Sequence, residues 1–390
     1  MIRQAALYFA TADDVQAARL HVIGRPLAFR VILAAVRAGA RRVALPPALR
    51  SPDLDAALAT SPTARAAVAW LDAPEALAPE PVLLLPAAAL APAPALRRLL
   101  QGPAGRVLAA SQATGAPAVA ADGDLLEAVQ APLRAGAPIG DALDRELKAR
   151  APATAEGDGW FVRVTGPGTA ADAEARLWRD LGSPIDTRLD VAVHRRLSKP
   201  VTRAAVALGL TPNPITVASG AVGLAAAAAF SRADMAAVVA GLALYFVAVV
   251  LDHADGEVAR LTLTESRLGE WLDIVLDTAV HAALALALGH AAARITGQGL
   301  GAGAVAAAGV IASAAVGKLW PPAPIGRRGL LDGLTSRDGF YAMLVVFIAL
   351  RIAAPAWLPG LMIAVAAGTH AYWMARLTLL RRARVSETRP

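Results

Sequence analysis

Two patterns of hydrophobic and polar positions divide the chain. Over residues 1–183 short apolar stretches alternate with charge, proline and alanine. A-A-L-Y-F-A, R-R-V-A-L-P, V-L-L-L, R-V-L-A-A and W-F-V-R-V read as strands. P-L-A-F-R-V-I-L-A-A-V-R-A-G and T-A-A-D-A-E-A-R-L-W-R-D-L-G read as helices. Strand and helix patterns that alternate with glycine and proline punctuation predict a soluble α/β domain with a mostly parallel sheet. D-G-D-L-L-E, 122–127, reads as a turn and helix cap, Asp122 and Asp124 being otherwise possible ligands. A-P-A-T-A-E-G-D-G, 151–159, is a flexible connection inside this domain.

From residue 211 onward the apolar runs lengthen. A membrane span needs about 20 apolar residues, and six stretches qualify: 214–231, 236–261, 267–293, 299–320, 337–355 and 357–380. Residues 211–390 are therefore expected to form an all-α polytopic membrane domain with six transmembrane helices. T-P-N-P-I-T opens the first span, with Asn213 or Thr216 placed to cap it beside prolines that suit a helix start. Residues 184–210 place Leu189, Val193, Leu197 and Val201 four apart, with Arg188, Arg195, Arg196, Lys199 and Arg203 on other faces. That predicts a basic amphipathic helix on the membrane surface, an ordinary bundle helix being the alternative.

Composition changes this picture little. At 390 residues two domains are expected, and 56% hydrophobic residues with a mean hydropathy of +0.49 agree with a membrane part. Cysteine is absent, which excludes disulfides and thiolate chemistry. The first residues, M-I-R-Q-A-A-L-Y-F-A-T-A-D-D, hold too short an apolar core for a secretory signal, so the first domain is expected in the cytoplasm. With that end inside, the inner connections carry Arg260, Arg267, Lys318, Arg327, Arg328, Arg337, Arg376, Arg381, Arg382 and Arg384. The outer ones carry Arg232, Arg294 and Arg351. This bias fits a multi-pass protein of the cell (inner) membrane with both ends cytoplasmic. It accounts for the net charge of +7 through topology and anionic lipid, without a nucleic-acid partner.

The chemistry concentrates at residues 252–277, D-H-A-D-G-E-V-A-R-L-T-L-T-E-S-R-L-G-E-W-L-D-I-V-L-D. On a helix Asp252, Asp255, Gly256 and Ala259 share one face, and Gly269, Asp273 and Asp277 share another. T-L-T-E-S-R between them suits a tight turn, so two antiparallel helices would aim four aspartates into one gap. An aspartate deep in a membrane helix costs about 2.5 to 3.5 kcal/mol on insertion scales, so such a cluster requires a cation. Oxygen-only ligands suit Mg²⁺, Mn²⁺ or Ca²⁺ better than a soft metal, and Mg²⁺ or Mn²⁺ is expected here. A role in charge balance alone, with Arg260 and Arg267 as partners, leaves the glycines and the alanine unexplained. His281, His290 and His370 lie in apolar spans and are expected to be hydrogen-bonded packing.

The spacing D-x2-D-G-x2-A-R-x8-G-x3-D-x3-D, met from Asp252 to Asp277, resembles the signature of the CDP-alcohol phosphotransferases. The resemblance implies two divalent ions held by Asp252, Asp255 and Asp273, with Asp277 as the base on the acceptor hydroxyl and a further ligand. It implies a CDP site of Asp252, Asp255, Gly256, Ala259, Arg260 and Gly269, to which the P-N-x-x-T opening adds Pro212, Asn213 and Thr216. It further implies a homodimer, a CDP-alcohol donor (CDP-diacylglycerol or CDP-inositol) and a phosphorylated polyol acceptor such as inositol phosphate or glycerol phosphate, with CMP released. Lys318, Arg327, Arg328 and Arg337, in or beside one inner connection, are candidates for the acceptor phosphate.

Residues 22–45 look like the segment that follows the phosphate loop of sugar-phosphate nucleotidyltransferases, and the whole arrangement resembles the bifunctional inositol-1-phosphate cytidylyltransferase/di-myo-inositol-phosphate-phosphate synthases. A triphosphate site needs loop amides, a basic side chain and an acidic metal ligand. Here T-A-D-D-V-Q-A-A-R follows the first strand and Pro86 with alanines follows V-L-L-L. The first domain is therefore expected to keep the fold without the activity. A divalent-cation transporter built on the same aspartates is the alternative for the membrane domain, although no inverted repeat is visible.

Overall fold

The computed structural model describes residues 2–108, 116–150, 153–154, 160–182, 189–232, 234–319 and 337–387. The chain forms two compact units, Met1–Leu181 with Leu261–Leu263, and Gly182–Arg260 with Thr264–Pro390.

The first unit is built on a seven-stranded sheet. Its strands are β1 (Gln4–Tyr8), β2 (Arg42–Leu45), β3 (Val68–Trp70), β4 (Val82–Pro86), β5 (Arg106–Leu108), β6 (Ala118–Ala121) and β7 (Ala153–Thr154), in the order β3-β2-β1-β4-β6-β5-β7. β1 and β4 are buried along their whole length, which is why they read as continuous apolar runs and not as alternation. Pairs β1–β2, β2–β3, β1–β4 and β5–β7 are parallel, whereas β6 runs antiparallel to both β4 and β5. The sheet is thus parallel-rich and mixed. The sequence pattern does not reveal β6, because A-V-A-A has little intrinsic strand preference. Its ladders to V-L-L and R-V-L impose the conformation. W-F-V-R-V contributes only Val162–Arg163, which pairs antiparallel with Ala89–Leu90 outside the main sheet. Helix α1 (Leu27–Ala38) joins β1 to β2 and stops at Gly39, whose φ of 118° is a left-handed stop suited to glycine.

The second unit is helical: α2 (Arg195–Ala207), α3 (Pro212–Phe230), α4 (Met235–Thr262), α5 (Arg267–Thr296), α6 (Leu300–Leu319), α7 (Arg337–Ala353) and α8 (Leu358–Glu387). Four of these, α3 to α6, are long and apolar enough to cross a membrane. The apolar part of α7, Gly339–Ala353, is shorter, and α8 turns basic in its second half with Arg376, Arg381, Arg382 and Arg384. Among the described residues, length and hydropathy therefore support four spans where the sequence pattern predicts six.

Close helix approach depends on small residues, as it must where lipid removes the hydrophobic drive between helices. A Cβ on Gly223 of α3 would lie 2.6 Å from Val280 on α5, and one on Gly289 of α5 would lie 2.6 Å from the Cα of Gly303 on α6. Val239, Val247, Val275, Val305, Ile311 and Ile363 stand exposed on the outside, where a bilayer would cover them.

Candidate active site

Helix α4 ends at Thr262, and α5 begins at Arg267 with Ser266 as its cap, whose hydroxyl accepts from the Gly269 amide at 3.0 Å. The turn closes through Leu263 at φ 57°. Asp252 and Asp255 lie one turn apart on α4, and Asp273 faces them from α5. One carboxylate oxygen from each lies within 4.8 Å of the other two. Two unit charges at that separation repel by about 3.5 kcal/mol at an effective dielectric near 20. The three residues therefore form a group able to hold a divalent ion, all oxygen in its donors.

Asp277 stands one turn further along α5, outside that trio and exposed, and shares a small pocket with Asp252, Asp273 and Thr216. Its neighbour is His281, whose Nδ1 donates to the Asp277 carbonyl at 2.7 Å and lies 3.3 Å from Oδ1 of the Asp277 carboxylate. A carbonyl can only accept, so in the neutral ring Nε2 is an acceptor and takes the Tyr245 hydroxyl at 3.0 Å. The packing histidine of the sequence pattern is thus tied to the acidic group beside it.

The glycines of the motif lie close under polar side chains. A Cβ on Gly256 would approach the Arg260 guanidinium at 3.2 Å, and one on Gly269 would meet Asn213 Oδ1 at 3.1 Å and Ser266 Oγ at 3.2 Å. Asn213 and Thr216 do not cap α3, contrary to the sequence expectation. Thr211 holds that position without a side-chain bond, and Thr216 Oγ1 turns back to the Pro212 carbonyl at 3.2 Å. Pro212 and Pro214 carry no N–H, which leaves fewer unpaired amides at this helix start for a side-chain cap to serve.

Glu257 has no role in the motif as read from sequence, yet it is fully buried. It accepts from Arg195 Nη1 at 2.8 Å, Ser198 Oγ at 2.8 Å and Thr202 Oγ1 at 2.6 Å. α2 therefore turns Arg195, Ser198 and Thr202 inward and leaves Leu197 exposed, whereas Val201 packs against a small apolar cluster and Arg196 and Arg203 stay exposed, so the basic amphipathic pattern holds in part over the described residues. The cause is one buried carboxylate on α4, which needs donors more than α2 needs to bury a leucine.

Among the candidate phosphate contacts, Lys318 forms an ion pair with Glu270 and lies 5.0 Å from the centre of the Trp271 ring. Arg327 and Arg328 fall outside the described residues. Arg337 opens α7. A separate cavity of about 440 Å³ adjoins Asp277 and His281 and presents the hydroxyl-bearing residues Thr278, Ser313, Thr369 and Tyr372 among apolar side chains. Arg376 donates to the Tyr372 hydroxyl at 2.8 Å, so a guanidinium stands behind that wall.

In the first unit, strand order reverses between β1 and β4, the place where an open α/β sheet forms its ligand crevice. The loop amides after β1 are already engaged. Ala10 and Thr11 donate to Asp14 Oδ2 at 2.7 and 3.3 Å, and Arg163 pairs with Oδ1 at 3.0 Å. Burial and the Asp14 charge push the Tyr8 hydroxyl well above its usual pKa, so it stays neutral and donates to the Pro117 carbonyl. After β4 stands Ala87, its amide bound to Tyr8 O. Asp122 caps the helix Gly123–Arg134 by accepting from the Leu125 amide.

Residues 209–319 match the CDP-alcohol phosphatidyltransferase family, so this part of the chain belongs to that family of CDP-alcohol phosphotransferases. The protein is a membrane transferase in this general sense. Among solved structures, phosphatidylinositol phosphate synthase of Mycobacterium tuberculosis with CDP-DAG bound aligns with a TM-score of 0.38. The alignment has 19% identity over 47% of this chain and 92% of that one. No curated protein matches.

Proposed function

We propose that the protein transfers a phosphoalcohol group from a CDP-alcohol to an acceptor hydroxyl and releases CMP. The observation that carries this is the carboxylate trio Asp252, Asp255 and Asp273 across the α4–α5 hairpin, within the stretch that matches the family. Divalent ions bound there, Mg²⁺ or Mn²⁺, would hold diphosphate oxygens and stabilise the leaving CMP. Gly256, Ala259 and Gly269 keep the hairpin clear for the nucleotide, with Pro212, Asn213 and Thr216 at its side and Arg260 placed for phosphate. The acceptor occupies the 440 Å³ cavity, whose hydroxyl-bearing walls suit a polyol and whose lining includes Asp277. Inositol phosphate and glycerol phosphate both fit this description, with CDP-diacylglycerol or CDP-inositol as donor. The arginine and lysine bias of the connections supports a topology with the first domain cytoplasmic.

Asp277 takes the proton of the attacking hydroxyl, oriented by the neighbouring His281. Asp277→Asn is expected to lower kcat by about a hundredfold or more while donor affinity changes little, since general base catalysis contributes roughly 10² to 10⁴. Single-turnover rates beside CDP-alcohol binding would check this. A parallel loss of both would move Asp277 into the metal site.

The first domain is proposed to lack cytidylyltransferase activity, because Asp14 occupies the amides that a triphosphate would need. Full-length protein given CTP, Mg²⁺ and inositol 1-phosphate is expected to release no pyrophosphate above background. Release would mean that the chain makes its own donor.

A further inference from the structure

We propose that Asp190, His194 and His253 form a second metal site, for one zinc ion, that fastens the start of the juxtamembrane segment to α4. One ligand atom from each of the three lies within 4.8 Å of the others, and all three side chains are buried. Asp190 Oδ1 is 2.9 Å from His194 Nδ1 and 3.1 Å from His253 Nε2. Tetrahedral zinc with ligands at about 2.0 to 2.2 Å sets its donor atoms about 3.3 Å apart, so the two contacts to Asp190 would lengthen by only a few tenths of an ångström.

The outer hydrogen bonds orient both rings for this task. His253 Nδ1 lies 2.8 Å from the Val249 carbonyl, which can only accept, so Nδ1 carries the hydrogen and a neutral ring aims the Nε2 lone pair at Asp190. His194 Nε2 lies 3.2 Å from the Tyr341 hydroxyl, which leaves Nδ1 to face the same carboxylate oxygen. A ligating imidazole characteristically donates its other nitrogen to a carbonyl or similar partner, and that bond fixes its orientation. Two imidazoles and one carboxylate suit zinc, whereas the all-oxygen trio nearby suits a harder ion. Asp190–His194 also forms a π-helical turn, a rare geometry that recurs at functional sites. His253 directly follows Asp252, so the ion would fix the part of α4 that presents the aspartates.

The test is zinc content by elemental mass spectrometry and the visible spectrum after Co²⁺ replacement, on full-length protein without a polyhistidine tag. One equivalent is expected to survive gel filtration in the wild type and in Asp252→Asn/Asp273→Asn, which disables the carboxylate trio. It should fall to none in His194→Gln and in Asp190→Asn. Failure of the transferase reading would leave these results unchanged. Wild-type protein that retains no zinc after exposure to one equivalent would overturn the proposal, and this outcome does not depend on how the variants fold. Full retention in both variants would overturn it equally, and would leave the cluster as a hydrogen-bonded staple.

Discussion

Replacing Asp252, Asp255 or Asp273 singly by asparagine is expected to reduce CMP release by roughly a thousandfold or more. Each loses one anionic ligand of an ion that contributes several kcal/mol to stabilising transition-state charge, and about 1.4 kcal/mol corresponds to a factor of ten. The same substitutions should not unfold the protein. The trio has carboxylate oxygens within 4.8 Å, so in metal-free protein each neutralisation removes repulsion of about 3.5 kcal/mol per pair. The metal-free Tm should hold or rise while turnover disappears. The assay offers CDP-diacylglycerol and CDP-inositol, each with inositol phosphate or glycerol phosphate, in the presence of Mg²⁺ or Mn²⁺. Chelation should stop the wild type, and restored Mg²⁺ or Mn²⁺ should revive it. A variant that turns over at the wild-type rate would sink the metal assignment. Cation flux in liposomes without CMP release would point to a transporter instead.

Glu257→Ala is expected to act in the opposite sense, on stability first. Glu257 is the shared acceptor of Arg195, Ser198 and Thr202 and is fully buried. Removing one partner of a buried ion pair costs about 3 to 5 kcal/mol, because the other charge is left in a poor solvent. Thermal melts in detergent should therefore show a large fall in Tm. Glu257→Leu with Arg195→Met should recover much of it, since a well-packed apolar pair escapes the desolvation cost. A Glu257→Ala protein that melts with the wild type would show that this carboxylate does not anchor α2.

Periodicity and spacing were enough to place the aspartate hairpin. Once α4 and α5 are long apolar helices joined by a short turn, residues three and four apart must share a face. The chemistry of the trio follows from that. Long apolar runs likewise marked every helix from α3 to α6, because a span must satisfy its backbone internally and carry apolar side chains throughout.

Several features depended on partners distant in sequence. β6 is a strand only because V-L-L and R-V-L flank it. α2 buries Arg195, Ser198 and Thr202 only because Glu257 waits on α4. His281 is tied to Asp277 by a helical turn that the apolar pattern conceals, and Asp190 meets His253 across 63 positions of chain. The loop after β1 showed in sequence that a glycine-rich phosphate cradle was missing, but only the fold revealed that Asp14 accepts from the Ala10 and Thr11 amides there. Sequence by itself determined the four long apolar helices α3 to α6 and the facing of Asp252, Asp255 and Asp273 across the hairpin, since both follow from local period, whereas it placed Asp277 in the same group and the fold sets it apart. Tertiary structure decided what each buried polar group bonds to, because that choice is made by desolvation and depends on which neighbours the fold supplies.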